Sequence, residues 1–127
     1  MLLVDSDIMV DVLRRHPPAV DWLNSLGAED IGIPGLVAME LLNGCRNRNE
    51  QQRVESALRP FVLYWPDAED CARAFNDFAQ YHLSHNIGLL DSLIAATAVG
   101  MSASLVTFNQ KHYSVVSTLQ IIQPYAR

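Results

Sequence analysis

Leu2-Leu3-Val4-Asp5-Ser6-Asp7 opens the chain with a short apolar run that ends in a carboxylate. Three consecutive apolar residues without polar alternation read as a strand buried on both faces. Asp5 then stands at its C-terminal end, and Ser6 or Asp7 can cap a helix reaching about Arg15. The same unit recurs downstream. Pro17-Pro18 stops the first helix and can open a second over Ala19–Leu26, ended by Gly27. Ile31-Gly32-Ile33 reads as a strand, and Pro34 suits the first position of a helix through Leu42, with Gly44 as its C-cap. A polar helix follows over Asn49–Leu58, closed by Pro60. Phe61–Tyr64 is a third strand, and Asp67–Leu83 is a long amphipathic helix with Cys71, Ala74, Phe75, Phe78 and Leu83 on or near one face. Leu90–Val99 is an almost wholly apolar helix. Leu105-Val106 begins a fourth strand and Leu119–Ile122 forms a last one. Short apolar strands alternating with helices predict an α/β/α sandwich around a parallel sheet of about five strands, with residues 1–127 as one domain.

Composition agrees with a packed domain. The chain has 127 residues, 50% of them hydrophobic and 18% charged, with a formal charge of −5. That excludes a disordered chain and a disulfide scaffold. The acidic balance argues against holding nucleic acid by bulk charge. Cys45 and Cys71 form no metal-ligand spacing and read as two small buried side chains in a reduced compartment. Asp5, Asp7 and Asp11 interrupt any leader-like apolar segment, and no run approaches the length of a membrane span, so a cytoplasmic protein is expected.

The informative pattern is where charge is scarce. Between Phe78 and Gln110, Asp91 is the only Asp, Glu, Lys or Arg; between Ile31 and Cys45, Glu40 is the only one. Both sit among apolar helical neighbours, in Leu90-Asp91-Ser92-Leu93 and Met39-Glu40-Leu41-Leu42, with no basic residue within a helical turn. An ionised carboxylate there is costly unless it is paired or bound to a metal. Asp5 adds a third at a strand's carboxyl end, where open parallel sheets bind ligands. Three converging carboxylates repel one another or demand a cation. Their hard oxygens suit Mg2+ or Mn2+, which can activate a water and stabilise charge on a phosphoryl group. Each also has a plainer role open to it: Asp5 as a cap, Glu40 on a solvated strip, Asp91 in a helix's first turn. There is no GxSxG elbow, P-loop or GxGxxG run. His16, His82, His85 and His112 make no HExxH pattern. Phosphatases with an Asp-x-Asp nucleophile need a Lys followed by an acidic pair. Lys111, the only Lys, has no Asp or Glu after it. A receiver domain fails on the same Lys, only four residues past Thr107.

At four places the sequence resembles the PIN-domain ribonucleases, and among them the VapC-type toxins. These are Leu3-Val4-Asp5-Ser6-Asp7, Met39-Glu40-Leu41-Leu42-Asn43-Gly44, Leu90-Asp91-Ser92-Leu93-Ile94-Ala95 and Val106-Thr107-Phe108-Asn109. The resemblance covers nearly the whole chain. It implies a metal-dependent endoribonuclease with an α/β/α fold, inhibited by a small antitoxin protein and paired as a homodimer. By this resemblance Asp5, Glu40 and Asp91 are metal ligands, the same three that charge scarcity selects. A fourth acidic residue of many relatives is replaced by Asn109, which is catalytic by position and offers a carbonyl oxygen but no charge. Thr107 supplies a hydroxyl beside the site, and Ser6 and Asp7 support it. The alternative class is a PIN-like module that binds RNA or protein without cleaving.

Four of the nine basic residues fall at Arg46, Arg48, Arg53 and Arg59, and Arg14 and Arg15 form a pair after the first helix. Arg14, Arg15, Arg46 and Arg48 are candidates for phosphate contacts beside the acidic site. Setting Asp5, Glu40 and Asp91 aside leaves the rest of the chain at −2. Net charge thus disfavours RNA binding by charge alone, not contact through a metal. The apolar helices Pro34–Leu42 and Leu90–Val99 offer surface for a partner, or core.

Overall fold

In the computed structural model, which describes residues 1–27 and 30–127, five short strands form one parallel sheet. The elements are β1 (Leu2–Val4), α1 (Ser6–Leu13), α2 (Pro17–Ser25), β2 (Ile31–Pro34), α3 (Gly35–Asn43), α4 (Arg48–Leu58), β3 (Val62–Tyr64), α5 (Ala68–His85), α6 (Leu89–Gly100), β4 (Ser104–Val106), α7 (Gln110–Tyr113) and β5 (Gln120–Ile122). The strand order is β3-β2-β1-β4-β5. The chain steps from β1 outward to β3, then crosses to β4 and β5 on the other side. Right-handed crossovers put α1–α4 on one face and α5–α7 on the other. This is the expected three-layer α/β/α arrangement, and β1 lies at its switch point.

Leu3 pairs with Gly32 on one side and Leu105 on the other. Leu3, Val4, Ile33, Leu105 and Val106 are fully or almost fully buried, as unalternating strands covered on both faces must be. From above and below they meet Ile8, Met9, Val37, Ile94 and Ala98. Gly32 is required by packing, since a Cβ there would stand 2.4 Å from the Tyr64 ring.

Several boundaries differ from the sequence reading for local reasons. The cap of α1 is Asp5, not Ser6 or Asp7. Asp5 keeps the extended backbone of the strand it ends, and its side chain accepts the Ser6 N–H, while Ser6 and Asp7 are already helical. Pro34 completes β2 and caps α3 instead of opening it. Pro17 and Pro18 lie inside α2, where their missing N–H groups cost nothing. Asp67 and Asp70 form a reciprocal capping pair on α5, and Asn86 ends that helix in the left-handed region.

The larger correction concerns α5. Ala74 is buried, but Phe75 is 73% exposed and Leu83 88%. Cys71 is exposed and Cys45 half-buried, so neither is the fully buried thiol expected. With Leu89 of α6, these side chains leave an apolar strip on the surface. Inside α6, Ile94, Ala95 and Ala98 are core. Among the described residues no helix is long and apolar enough to cross a membrane.

Candidate active site

The parallel sheet delivers Asp5 to the carboxyl end of its central strand. The Asp5 N–H donates to the Val106 carbonyl at 3.0 Å, which extends the β1–β4 ladder by one rung. Its side chain is 5% exposed and held on both oxygens. Oδ1 accepts the Ser6 N–H at 2.8 Å, and Oδ2 accepts the Thr107 hydroxyl at 2.9 Å. Thr107 is fully buried; it also lies 3.3 Å from Asp7 and accepts the Asn109 N–H at 3.0 Å. Asp7 in turn accepts the Phe108 N–H at 2.9 Å. Thr107 therefore bonds directly to a proposed ligand, and Asp7 braces the loop beside it. Ser6 acts through its backbone.

Asp91 enters from the first turn of α6. Its Oδ2 accepts the Gly88 N–H at 3.2 Å, and its Oδ1 accepts the Tyr113 hydroxyl at 3.3 Å. The capping role and the site role are thus compatible in one side chain. Glu40 comes from α3 and is only partly buried. Burial raises the Glu40 carboxyl from its ordinary 4.5 to about 7, and the charges of Asp5, Asp91 and Asp7 add to the shift. Burial, then Asp7, raise Asp5 from 3.8 to about 6 against the opposing hydrogen bonds from Ser6, Thr107 and Tyr113. Glu40 therefore feels the charges of both Asp5 and Asp91. None of the ion pairs among the described residues joins Lys or Arg to Asp5, Glu40 or Asp91.

The donor chemistry fits a hard divalent cation: carboxylate oxygens, mutual repulsion and no Lys or Arg partner among the described residues. As the side chains stand, no three His, Cys, Asp or Glu groups among the described residues are close enough to share one ion. Asp5 and Asp91 are tethered by hydrogen bonds. Glu40, half in solvent and with three rotatable bonds, is the group free to swing inward.

Two neighbours escaped the sequence reading. Tyr113, fully buried on α7, places its phenol against both Asp5 and Asp91. Burial first, then those two charges, push its ionisation above the usual range, so it remains a donor. His112 has Nδ1 3.7 Å from Asp91 and 3.1 Å from the Asn109 amide, which links Asn109 to the cluster indirectly. No sequence signal marks either, because α7 is a single turn with no periodicity. His82 instead stacks on Phe78 and His85 meets Tyr81 edge-on.

A groove of about 1290 Å³ runs from Ser6 and Glu40 between α1, α3 and α4. Arg14, Arg15, Arg46 and Arg53 line it, whereas Arg48 does not. Arg46 is partnered: its guanidinium reaches Glu50 at 2.8 and 3.1 Å. Arg53, also in the arginine cluster of the sequence, lines the groove with Arg14 and Arg15.

The sequence model of the PIN domain matches residues 2–117. The chain belongs to the PIN-domain family. This PIN domain is 37% identical over 124 residues to Ribonuclease VapC19 of Mycobacterium tuberculosis, covering 94% of this chain and 98% of that one. It is also 37% identical over 123 residues to Ribonuclease VapC10 of the same organism, covering 94% and 91%. Among solved structures, VapBC2 from Rickettsia felis, bound to a promoter DNA fragment, superimposes with a TM-score of 0.80 at 22% identity, covering 95% of this chain and 96% of that one. VapBC-1 from nontypeable Haemophilus influenzae gives 0.76 at 21%, covering 96% of each. The fold of this PIN domain is therefore shared with these VapBC structures.

Gly88 offers a test of how finely Asp91 is set. A Cβ at this position would stand 2.9 Å from Asp91 Oδ2, closer than real contacts allow. The backbone at Gly88 is ordinary, with φ −80°, so Ala fits the chain and only the carboxylate must move. Gly88→Ala is expected to lower whatever activity the site carries about tenfold or more, as small misplacements in an active site do. Its thermal midpoint should shift by only a few degrees. A steady-state assay beside a melting curve checks this.

Proposed function

We propose that this PIN domain is a magnesium- or manganese-dependent endoribonuclease, the toxin of a toxin–antitoxin pair restrained by a small antitoxin protein. The observation that supports it best is the uncompensated trio Asp5, Glu40 and Asp91 at the switch point of the sheet. Relatives named ribonucleases at 37% identity agree with it. The cation would be held by Asp5, Asp91 and Glu40. When bound it supplies Lewis-acid charge for the phosphodiester and makes water a stronger nucleophile near neutral pH.

The chain's own contribution is placement. Thr107 and the Ser6 N–H fix the Asp5 carboxylate, while the Gly88 N–H and Tyr113 fix Asp91. These bonds stop the two carboxylates from turning away from each other despite their repulsion. No side-chain nucleophile is needed. Asn109 and His112 border the same space and can donate to a phosphate oxygen. The groove beyond Glu40 gives the RNA strand a track along Arg14, Arg15 and Arg53. The apolar strip on α5 and α6 is where we place a second copy of the chain. We place the protein in the cytoplasm, where its RNA substrates are.

A second reading, an RNA- or protein-binding module without cleavage, draws on Asn109, which brings no charge where the family resemblance implies a fourth acid. Incubating cellular RNA with the pure protein, with manganese or with chelator, separates the two. Metal-dependent fragments support the ribonuclease; identical lanes leave the binding module.

The groove makes a further prediction. Each lost phosphate contact on a single strand flattens the log–log salt dependence of binding by about 0.7. An Arg14→Ala/Arg15→Ala variant is therefore expected to bind single-stranded RNA with a salt slope about 1.4 shallower. Filter binding across salt concentrations measures it, and an unchanged slope removes these two arginines from the RNA track.

A further inference from the structure

Beyond β5 the chain turns back to α1 and to the loop after β4. The Tyr125 hydroxyl donates to Asp11 Oδ2 at 2.7 Å, and Arg127 Nη2 donates to Asp11 Oδ1 at 3.2 Å. Asp11 is buried on α1, one helical turn past Asp7. Both of its oxygens are thereby satisfied from a segment more than a hundred residues away. Burial and the Asp11 carboxylate hold the Tyr125 phenol protonated, so the bond runs from phenol to carboxylate.

The same two side chains grip Phe108. The Tyr125 ring meets it edge-on, with centroids 5.0 Å apart, and the Arg127 guanidinium carbon lies 4.7 Å from its centroid. Both geometries are attractive ones for an aromatic ring. Phe108 sits between Thr107, which donates to Asp5, and Asn109, which reaches His112. Its own N–H is held by Asp7. This connection between β4 and α7 is only three residues long. The Thr107 N–H donates to the Ile122 carbonyl at 3.0 Å. Phe108 is held by Asp7 through its N–H and by Tyr125 and Arg127 through its ring, all of them tied to α1.

We infer that Tyr125 and Arg127 are positioning residues: a C-terminal clamp that, anchored on Asp11, holds Phe108 and so sets Thr107 and Asn109 against the acidic site. The clamp touches neither substrate nor proposed ligands; it acts through Phe108. Its service to catalysis rests on the ribonuclease reading, but the holding of the loop does not.

The test uses Tyr125→Phe, which keeps the ring and loses the donor, Arg127→Gln, and the pair together. In metal-free protein, NMR hydrogen exchange at the Phe108 and Asn109 amides should quicken at least about tenfold in the double variant, with Leu105 and Val106 within about twofold, as a local opening requires. With manganese and a labelled RNA, kcat should fall about tenfold while KM stays within about twofold, since placement and not binding is lost. Unchanged exchange at Phe108 overturns the clamp, and so does an acceleration spread evenly over the sheet. Localised loosening with wild-type kcat overturns its part in catalysis. If the wild-type protein shows no metal-dependent cleavage, the ribonuclease reading falls and takes the catalytic part with it, and the exchange data alone decide whether the loop is clamped.

Discussion

Replacing Asp91 by Asn is expected to lower RNA cleavage by at least about a thousandfold, which corresponds to about 4 kcal/mol of transition-state stabilisation. The fold should survive. Asn is nearly the same shape, and its single carbonyl oxygen can keep either the Gly88 N–H or the Tyr113 hydroxyl that Asp91 accepts now. One hydrogen bond is lost, at a cost of about 1 kcal/mol. Against that, a negative charge facing Glu40 disappears, and the Glu40 carboxyl is itself raised by Asp91. These effects oppose each other, so the melting temperature should move by only a few degrees. The activity has no such offset, because the amide brings no anionic oxygen to the proposed ion. A fluorogenic RNA assay with manganese, alongside circular dichroism melting, reads both. Activity within tenfold of wild type would remove Asp91 from the ligand set and with it the mechanism.

The candidate trio can be picked from the sequence for a physical reason. Charge is expensive inside apolar helices, so a lone acid in Leu90-Asp91-Ser92 or Met39-Glu40-Leu41 is conspicuous without any fold in hand. The strands were legible because both faces of a parallel sheet are covered, and Leu2-Leu3-Val4 therefore lacks alternation. The distant tyrosines were not. Tyr113 reaches Asp91 across 22 positions and Tyr125 reaches Asp11 across 114, and no local pattern encodes such pairs. The α5 face shows a different limit. Its apolar period is real, yet periodicity says only that a face is apolar. Phe75 and Leu83 lie on the surface because α6 covers just the flank that carries Ala74. Arg46 lines the groove as expected and also pairs with Glu50 one turn on, a partner the spacing i, i+4 could have shown.

Metal-free protein should be less stable at pH 8 than near pH 5, and a divalent cation should reverse this. In the folded state Asp5 is raised from 3.8 to about 6, and Glu40 from 4.5 to about 7. Between the ordinary and the raised values, the native state holds more protons than the unfolded chain. Stability contributed by these groups is therefore complete below about pH 4 and lost as pH rises through about 6 to 7. For Asp5 the loss is about 3 kcal/mol. Glu40, half in solvent, adds less than its shift alone implies. Other ionisable groups also titrate, so the diagnostic quantity is the difference from Asp5→Asn, in which the Asp5 share of the slope is absent. About 2 kcal/mol of that share is lost between pH 4.5 and 8, so at about 3–5 °C per kcal/mol for a domain of this size wild type should lose roughly 6–10 °C more than the variant over that interval. Manganese competes with protons for the same oxygens. It should raise the wild-type midpoint by several degrees at pH 8, hardly at all at pH 5, and less in Asp5→Asn at either pH. Equal manganese shifts at the two pH values, or in the two proteins, would place any bound ion away from Asp5.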